Sequence, residues 1–193
     1  MTDRGPLVKI EAFVRRFVQP DEAEWKAFAD ILQEKRIRKK HMLLEAGQVC
    51  TSIGFLNQGV IREYVFDKGK ESTVDFIIEN HFVVDLQSFI MGVPSGQYLE
   101  ALTDADLIMF RKDALNTLYD KYKIWERFGR LIIEQVFCSV EEKRKKIIAT
   151  THEDQYRNFA LAHPEVVQRV PQYYIASYLG VSPEHLSRIR KRI

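Results

Sequence analysis

Apolar positions in the first 34 residues recur at helical spacing. They are Leu7, Ile10, Phe13, Val14 and Phe17, followed, beyond a break at Pro20 and Asp21, by Trp25, Phe28, Ile31 and Leu32. The pattern predicts two short amphipathic helices. Between residues 41 and 111 the texture changes to short runs of β-branched and aromatic residues separated by glycine, asparagine or paired charges. Strands are expected at 53–56, 60–66, 72–78 and 107–111. Asp67, Lys68, Gly69 and Lys70 form a hairpin signal, because Gly69 takes positive φ without a steric penalty. Several short strands in about 70 residues suggest a small antiparallel barrel or roll.

Beyond Lys112 the turn signals stop, and residues 114–148 read as one long helix with Gly129 as its only glycine and no proline. Leu131, Ile132, Ile133, Val136, Phe137, Cys138 and Val140 cover nearly its whole circumference, whereas a helix on one core needs a single apolar stripe. Two surfaces must bury it. One is the roll. The other is either the same helix of a second subunit, giving a two-fold dimer through Phe128, Leu131, Ile132, Gln135, Val136 and Cys138, or another part of the same chain. Thr150 and Thr151 followed by Glu153 and Asp154 then mark a new helix start, and the expected organisation is 1–120, 121–149 and 150–193.

The last thirty residues carry the densest signal. Pro171 suits the first position of one helix and Gly180 the left-handed residue that ends it. Ser182 caps a second helix whose first residue is Pro183. Two helices this close require apolar residues at fixed places and a small one at the contact, which Ile175, Leu179, Val181, Leu186, Ile189 and Ala176 supply. That spacing is the helix-turn-helix pattern. On the second helix Leu186, Ile189 and Ile193 face inward, while Glu184, Ser187, Arg188 and Lys191 share an outward face suited to a major groove. Candidate DNA contacts are therefore Ser182, Glu184, His185, Ser187, Arg188, Lys191 and Arg192.

Composition alters this picture only locally. The chain has 193 residues and a net charge of +2, so it is no polycation, but residues 164–193 balance at +3 and the remainder at −1. Phosphate attraction is concentrated at the reading helix. Two further basic runs, 35–40 and 143–146, could add backbone contacts. Cys50 and Cys138 are too few for a disulfide framework or an iron–sulfur cluster, and His41, His81, His152, His163 and His185 show no ligand spacing. No metal or cofactor is expected, and neither is an enzyme. With no signal-peptide stretch and no membrane-spanning run, a cytoplasmic protein is expected.

Helices, a roll, a long helix and a C-terminal helix-turn-helix together resemble the Crp/Fnr family of bacterial transcription regulators. The likeness is strongest over residues 170–192, and Gly47, Gly59, Gly69 and the run 101–111 follow the family's rhythm. It implies an α+β chain with a cyclic-nucleotide-binding-like roll, acting as a homodimeric regulator on a two-fold symmetric double-stranded DNA site, with RNA polymerase as a further partner. It also implies a recognition helix using an Arg-Glu-x-x-x-Arg set, of which Glu184 and Arg188 match the last two members and Pro183 replaces the first. Family members that bind cyclic AMP carry a Gly-Glu pair and, further on, an arginine with serine or threonine. Here Asp85 stands near the first and no arginine follows. Residues 71–110 hold no Lys or Arg against seven acids, among them Glu71, Asp75, Asp85 and Glu100. An anionic ligand would lack a charge-assisted partner. The expectation is the family fold with an unidentified small-molecule effector or none, and Asp85, Gln87, Ser88, Gln97 and Tyr98 as pocket candidates. A rival reading is a small-molecule-binding module that signals through protein contacts.

Overall fold

A computed structural model describes residues 5–67 and 69–192, which leaves Lys68 of the expected turn and Ile193 of the expected inward face outside the described residues. Two N-terminal helices, α1 (Val8–Val14) and α2 (Glu22–Ala29), lie against a roll of two four-stranded antiparallel sheets. One sheet has the order β1 (Gln33–Ile37), β8 (Ala105–Arg111), β3 (Ser52–Gln58), β6 (Phe82–Val83). The other has the order β2 (Met42–Leu44), β7 (Tyr98–Ala101), β4 (Ile61–Asp67), β5 (Lys70–Ile77). Asp21 starts α2 with a reciprocal cap, accepting from the Glu24 amide while Glu24 accepts from its own. β1 escapes the alternation rule because it is an edge strand made largely of exposed polar residues. Gly59 precedes β4 at φ +116, and a Cβ there would lie 2.6 Å from that of Ala105, so two backbones meet where only glycine fits.

The predicted 35-residue helix is broken. α4 (Lys112–Lys121) ends at Tyr122, whose φ of −135 and ψ of 108 are extended, and α5 (Lys123–Ala149) begins immediately after. Neither proline nor glycine forces this. The break lets Trp125 enter the core, where it is 1% exposed and stacks on Phe28 at 4.5 Å, with its indole N–H directed to the Glu24 carbonyl. Packing of one large aromatic outweighs one turn of helix propensity.

Four helices follow: α6 (His152–Ala162), capped by Thr151, α7 (Pro164–Arg169), α8 (Gln172–Tyr178) and α9 (Pro183–Arg192). Their core of Tyr156, Phe159, Val166, Val170, Ile175, Ala176, Leu179, Leu186 and Ile189 is completed by Val60, Phe76 and Leu102 of the roll. The C-terminal helices therefore pack on the outside of the second sheet rather than closing on themselves.

Candidate functional site

α8 and α9 meet across the turn 179–182. Gly180 takes φ +67, and the amide of Val181 donates to the Ala176 carbonyl at 3.0 Å, closing α8 as Gly180 predicts. Pro171 lies one residue earlier than expected, as the residue before α8. The Ser182 hydroxyl accepts from the His185 amide at 3.1 Å and starts α9. Leu186 and Ile189 are buried, whereas Ser182, Glu184, Ser187, Arg188, Lys191 and Arg192 are exposed on the far side. His185 is half-buried, its ring 6.0 Å from that of His152. Between α9 and the start of α6 lies a concavity of about 340 Å³ lined by His152, His185, Arg188 and Arg192. The backbone N–H and the Ser182 hydroxyl hold the Glu184 carboxyl below its usual range, so it is ionised at neutral pH and can only accept hydrogen bonds.

The start of α5 and its middle differ. Phe128, expected at a dimer face, is buried in the roll core against Phe17, Phe82 and Trp125, because the Tyr122 break turns it inward. Leu131 and Ile132 are half-buried against the same core. Gln135, Val136 and Cys138 are exposed. They adjoin a stripe that contains Ile133, Val136, Phe137 at 67% exposure and Val140 at 57%, which is the i, i+3, i+4, i+7 spacing of one helix face.

The five pocket candidates do not converge. Asp85 is buried because it caps α3 (Leu86–Met91), accepting from the Ser88 amide. The Ser88 hydroxyl accepts from the Cys50 amide at 2.9 Å and donates to the Val93 carbonyl at 2.6 Å. Both side chains therefore hold the backbone together and do not face a ligand. Gln87 is exposed, and Tyr98 stacks on Tyr64 at 4.8 Å on the sheet face turned toward α8. Gln97 and, through space, Asp85 act on one unusual group, the Glu63 carboxyl, whose pKa is pushed up to about 7 by burial and then by Asp75, with Lys143 opposing. Burial likewise raises the Cys50 thiol, which disfavours its reactive thiolate.

Sequence reasoning missed Arg62. It lies on β4, is 1% exposed, and sits between the rings of Tyr64 (4.3 Å) and Tyr174 of α8 (3.9 Å). Its Nε donates to the Thr73 hydroxyl at 2.9 Å, and its Nη1 donates to Glu71 at 2.6 Å and lies 3.6 Å from Glu100. The acids of residues 71–110 thus have a buried cation, supplied from outside that window. A strand arginine beside Ile61 and Glu63 gives no pattern that would single it out. Lys143, in one of the basic runs that could add DNA backbone contacts, bonds Asp75 at 3.1 Å and lies over the Tyr178 ring. Among the described residues no cluster of three or more His, Cys, Asp or Glu could hold a metal, and no helix is long and apolar enough to cross a membrane.

Residues 34–122 match the family model of the cyclic nucleotide-binding domain. No curated protein matches the chain in sequence. Among solved structures, a protein from Eubacterium rectale assigned to the Crp/Fnr family of transcriptional regulators superposes with a TM-score of 0.69 at 16% identity, over 90% of this chain and 83% of that one. FixK2 from Bradyrhizobium japonicum gives 0.68 at 15% identity over 84% of each chain. The catabolite activator protein of Thermus thermophilus gives 0.57 at 12% identity over 91% of this chain and 84% of that one. With its roll of facing antiparallel sheets, its long α5 and its paired C-terminal helices, the chain has the fold of the Crp/Fnr regulators, and its residues 34–122 are similar to the cyclic nucleotide-binding domain.

Proposed function

We propose that this protein is a homodimeric, sequence-specific DNA-binding transcription regulator that works in the cytoplasm. The observation that carries the reading is α9, a helix capped by Ser182, seated on Leu186 and Ile189, and exposing Glu184, Ser187, Arg188, Lys191 and Arg192 on its free side. A short capped helix so presented enters a major groove. Arg188 would hold guanine O6 and N7 with its planar fork, and ionised Glu184 would accept from cytosine N4. Arg192, nearer the helix end, would touch phosphate. The exposed stripe of α5 would pair with its copy in a second chain, and two-fold pairing sets two recognition helices on one operator.

The roll is not a cyclic AMP receptor in this reading. Asp85 and Ser88 are engaged in backbone contacts, and Arg62 is committed to Glu71, Glu100 and two tyrosines. Selection of bound fragments from random duplex DNA tests the proposal. A recovered two-fold symmetric sequence with half-sites about one helical turn or a multiple of it apart is expected, and recovery of no enriched sequence overturns it.

A further inference from the structure

Two histidines, from the first and the last helix of the C-terminal unit, meet in the concavity beside α9. His152 opens α6 and His185 lies in the first turn of α9, and their rings stand edge to face with centres 6.0 Å apart. Arg188 and Arg192 line the same space from α9, and Thr151 and Glu153 line it from α6. Residues 185, 188, 189 and 192 follow at i, i+3, i+4 and i+7, so they share one helix face, whose inner edge is fixed by buried Ile189. Among the described residues the lining holds one acid, Glu153, whose carboxylate is 3.8 Å from Arg157 on the same helix. Asp154 accepts from the Thr151 hydroxyl and also faces Arg157. Glu184, exposed beside His185, acts on Arg188 from a distance. Among the described residues neither imidazole and neither arginine has a carboxylate within ion-pair distance.

We propose that His152, His185 and Arg192 form one oxyanion site for a backbone phosphate of DNA, and that the site takes up protons as it fills. This rests on the reading of α9 as the recognition helix, and it adds α6 as a second element of the contact and the proton as its regulator. The concave face lies on the flank of α9, between the buried stripe of Leu186 and Ile189 and the outward face of Glu184, Ser187 and Lys191, with Arg188 at the boundary. The flank of a helix inserted in a major groove meets the sugar–phosphate wall rather than base edges.

A neutral imidazole has one N–H and one acceptor nitrogen, whereas an imidazolium donates from both. In the empty site two imidazolium ions beside two guanidinium groups would repel one another, which disfavours their joint protonation. A phosphodiester supplies the missing negative charge and accepts charge-assisted hydrogen bonds from both rings. Filling the site therefore raises the protonation of the pair. A cationic group whose titration is raised by binding adds affinity that is fully present below its free value, about 6.5 for an ordinary imidazole, and is lost as pH rises through its bound value.

Binding of the full-length protein to a duplex of arbitrary sequence, at constant ionic strength in phosphate-free buffer, tests it, since a backbone contact needs no operator. Affinity is expected to rise roughly tenfold from pH 8 to pH 6, with net proton uptake when calorimetry is repeated in buffers of different ionisation enthalpy. The double variant His152→Gln with His185→Gln is expected to lose the acid gain, its affinity at pH 6 matching its own at pH 8. Without any mutation, the imidazole resonances of His152 and His185 are expected to titrate at higher pH with duplex than without, and inorganic phosphate at the same ionic strength is expected to move them less. Wild-type binding that is equal at both pH values overturns the proposal and leaves the DNA-binding reading standing. So does a double variant that keeps the wild-type dependence, which would place the proton on His163 beside Glu165. A protein that binds no duplex, yet whose two imidazoles titrate higher in inorganic phosphate, keeps the oxyanion site with a free anion as its occupant and rejects the DNA-binding reading. Imidazoles that respond to neither duplex nor phosphate overturn the site itself.

Discussion

The start and the middle of α5 use the same residue types to different ends. Trp125 and Phe128 are almost fully buried among the aromatic side chains of the roll, whereas Phe137 and Val140, two to four turns further along, face outward at 67% and 57% exposure. An apolar helix face states that some surface will cover it, and it does not state which. The start of the helix is covered within the chain because the break at Tyr122 swings it against α2 and Phe82 of β6. The middle has left the roll, and its stripe is exposed among the described residues.

The sharpest way to break this contrast is to truncate the start. Trp125→Ala should cost about 3–5 kcal/mol of stability, the range for a buried aromatic replaced by alanine, measured by denaturant unfolding at fixed protein concentration. A cost below about 1 kcal/mol would mean that the indole is not part of a closed core.

At the middle the expectation reverses. Phe137→Glu should leave the fold of the single chain intact and abolish dimerisation, so light scattering should give a mass near 22.6 kDa where the wild type gives twice that. It should also weaken operator binding by about 10²-fold or more through loss of the second half-site. A Phe137→Glu protein that remains dimeric would place the interface elsewhere.

Arg188→Ala carries the comparison to α9, the proposed recognition helix, where the effect should be chemical rather than architectural. It should cost about 1–3 kcal/mol on the preferred duplex and far less on a scrambled one, with the dimer mass unchanged. Arg192→Ala should weaken both duplexes alike. Equal losses for Arg188→Ala on the two duplexes would remove it from base reading.

The smallest effect lies toward the far end of α5, at Lys143. A carboxyl raised in the folded state contributes stability that is fully present below its unfolded value of 4.5 and is lost as pH rises through about 7. Wild-type stability should therefore fall across pH 5–8 by about 1–2 kcal/mol, allowing roughly 1.4 kcal/mol per pH unit and partial solvation, relative to Glu63→Gln in parallel melts. Parallel stability curves for the two proteins would show that Glu63 does not titrate in this window.

Much of the fold is legible in the residue order. The two N-terminal helices, the four longest strands, and the turn at Gly180 with its Ser182 cap all follow from local rules, because spacing, capping and positive φ act over a few residues. β1 was hidden by its polar edge composition, and β7 by its length of only four residues. Of the candidate site, the exposed face of α9 was readable because Leu186 and Ile189 announce its inner side. The pocket candidates were not, since Asp85 and Ser88 carry polar groups that serve their own backbone, and no sequence pattern separates a capping carboxylate from a ligand-binding one. Arg62, Glu63 and Lys143 were equally hidden, because their partners lie on other elements.

Residue order by itself determined the helices, the roll, the capped α8–α9 pair and the excess of apolar surface on the long helix, all of which depend on neighbours within about one turn or one strand. Tertiary structure alone decided that the helix breaks at Tyr122, that its apolar surface divides between an inner face and an outer one, and that the C-terminal helices complete their core with Val60, Phe76 and Leu102 of the roll. It also decided that Arg62 is caged between Tyr64 and Tyr174 and that Glu63 is paired across the sheet with Asp75, which bonds Lys143. These outcomes depend on residues tens of positions apart whose burial and charge act only once the chain has brought them within a few ångströms.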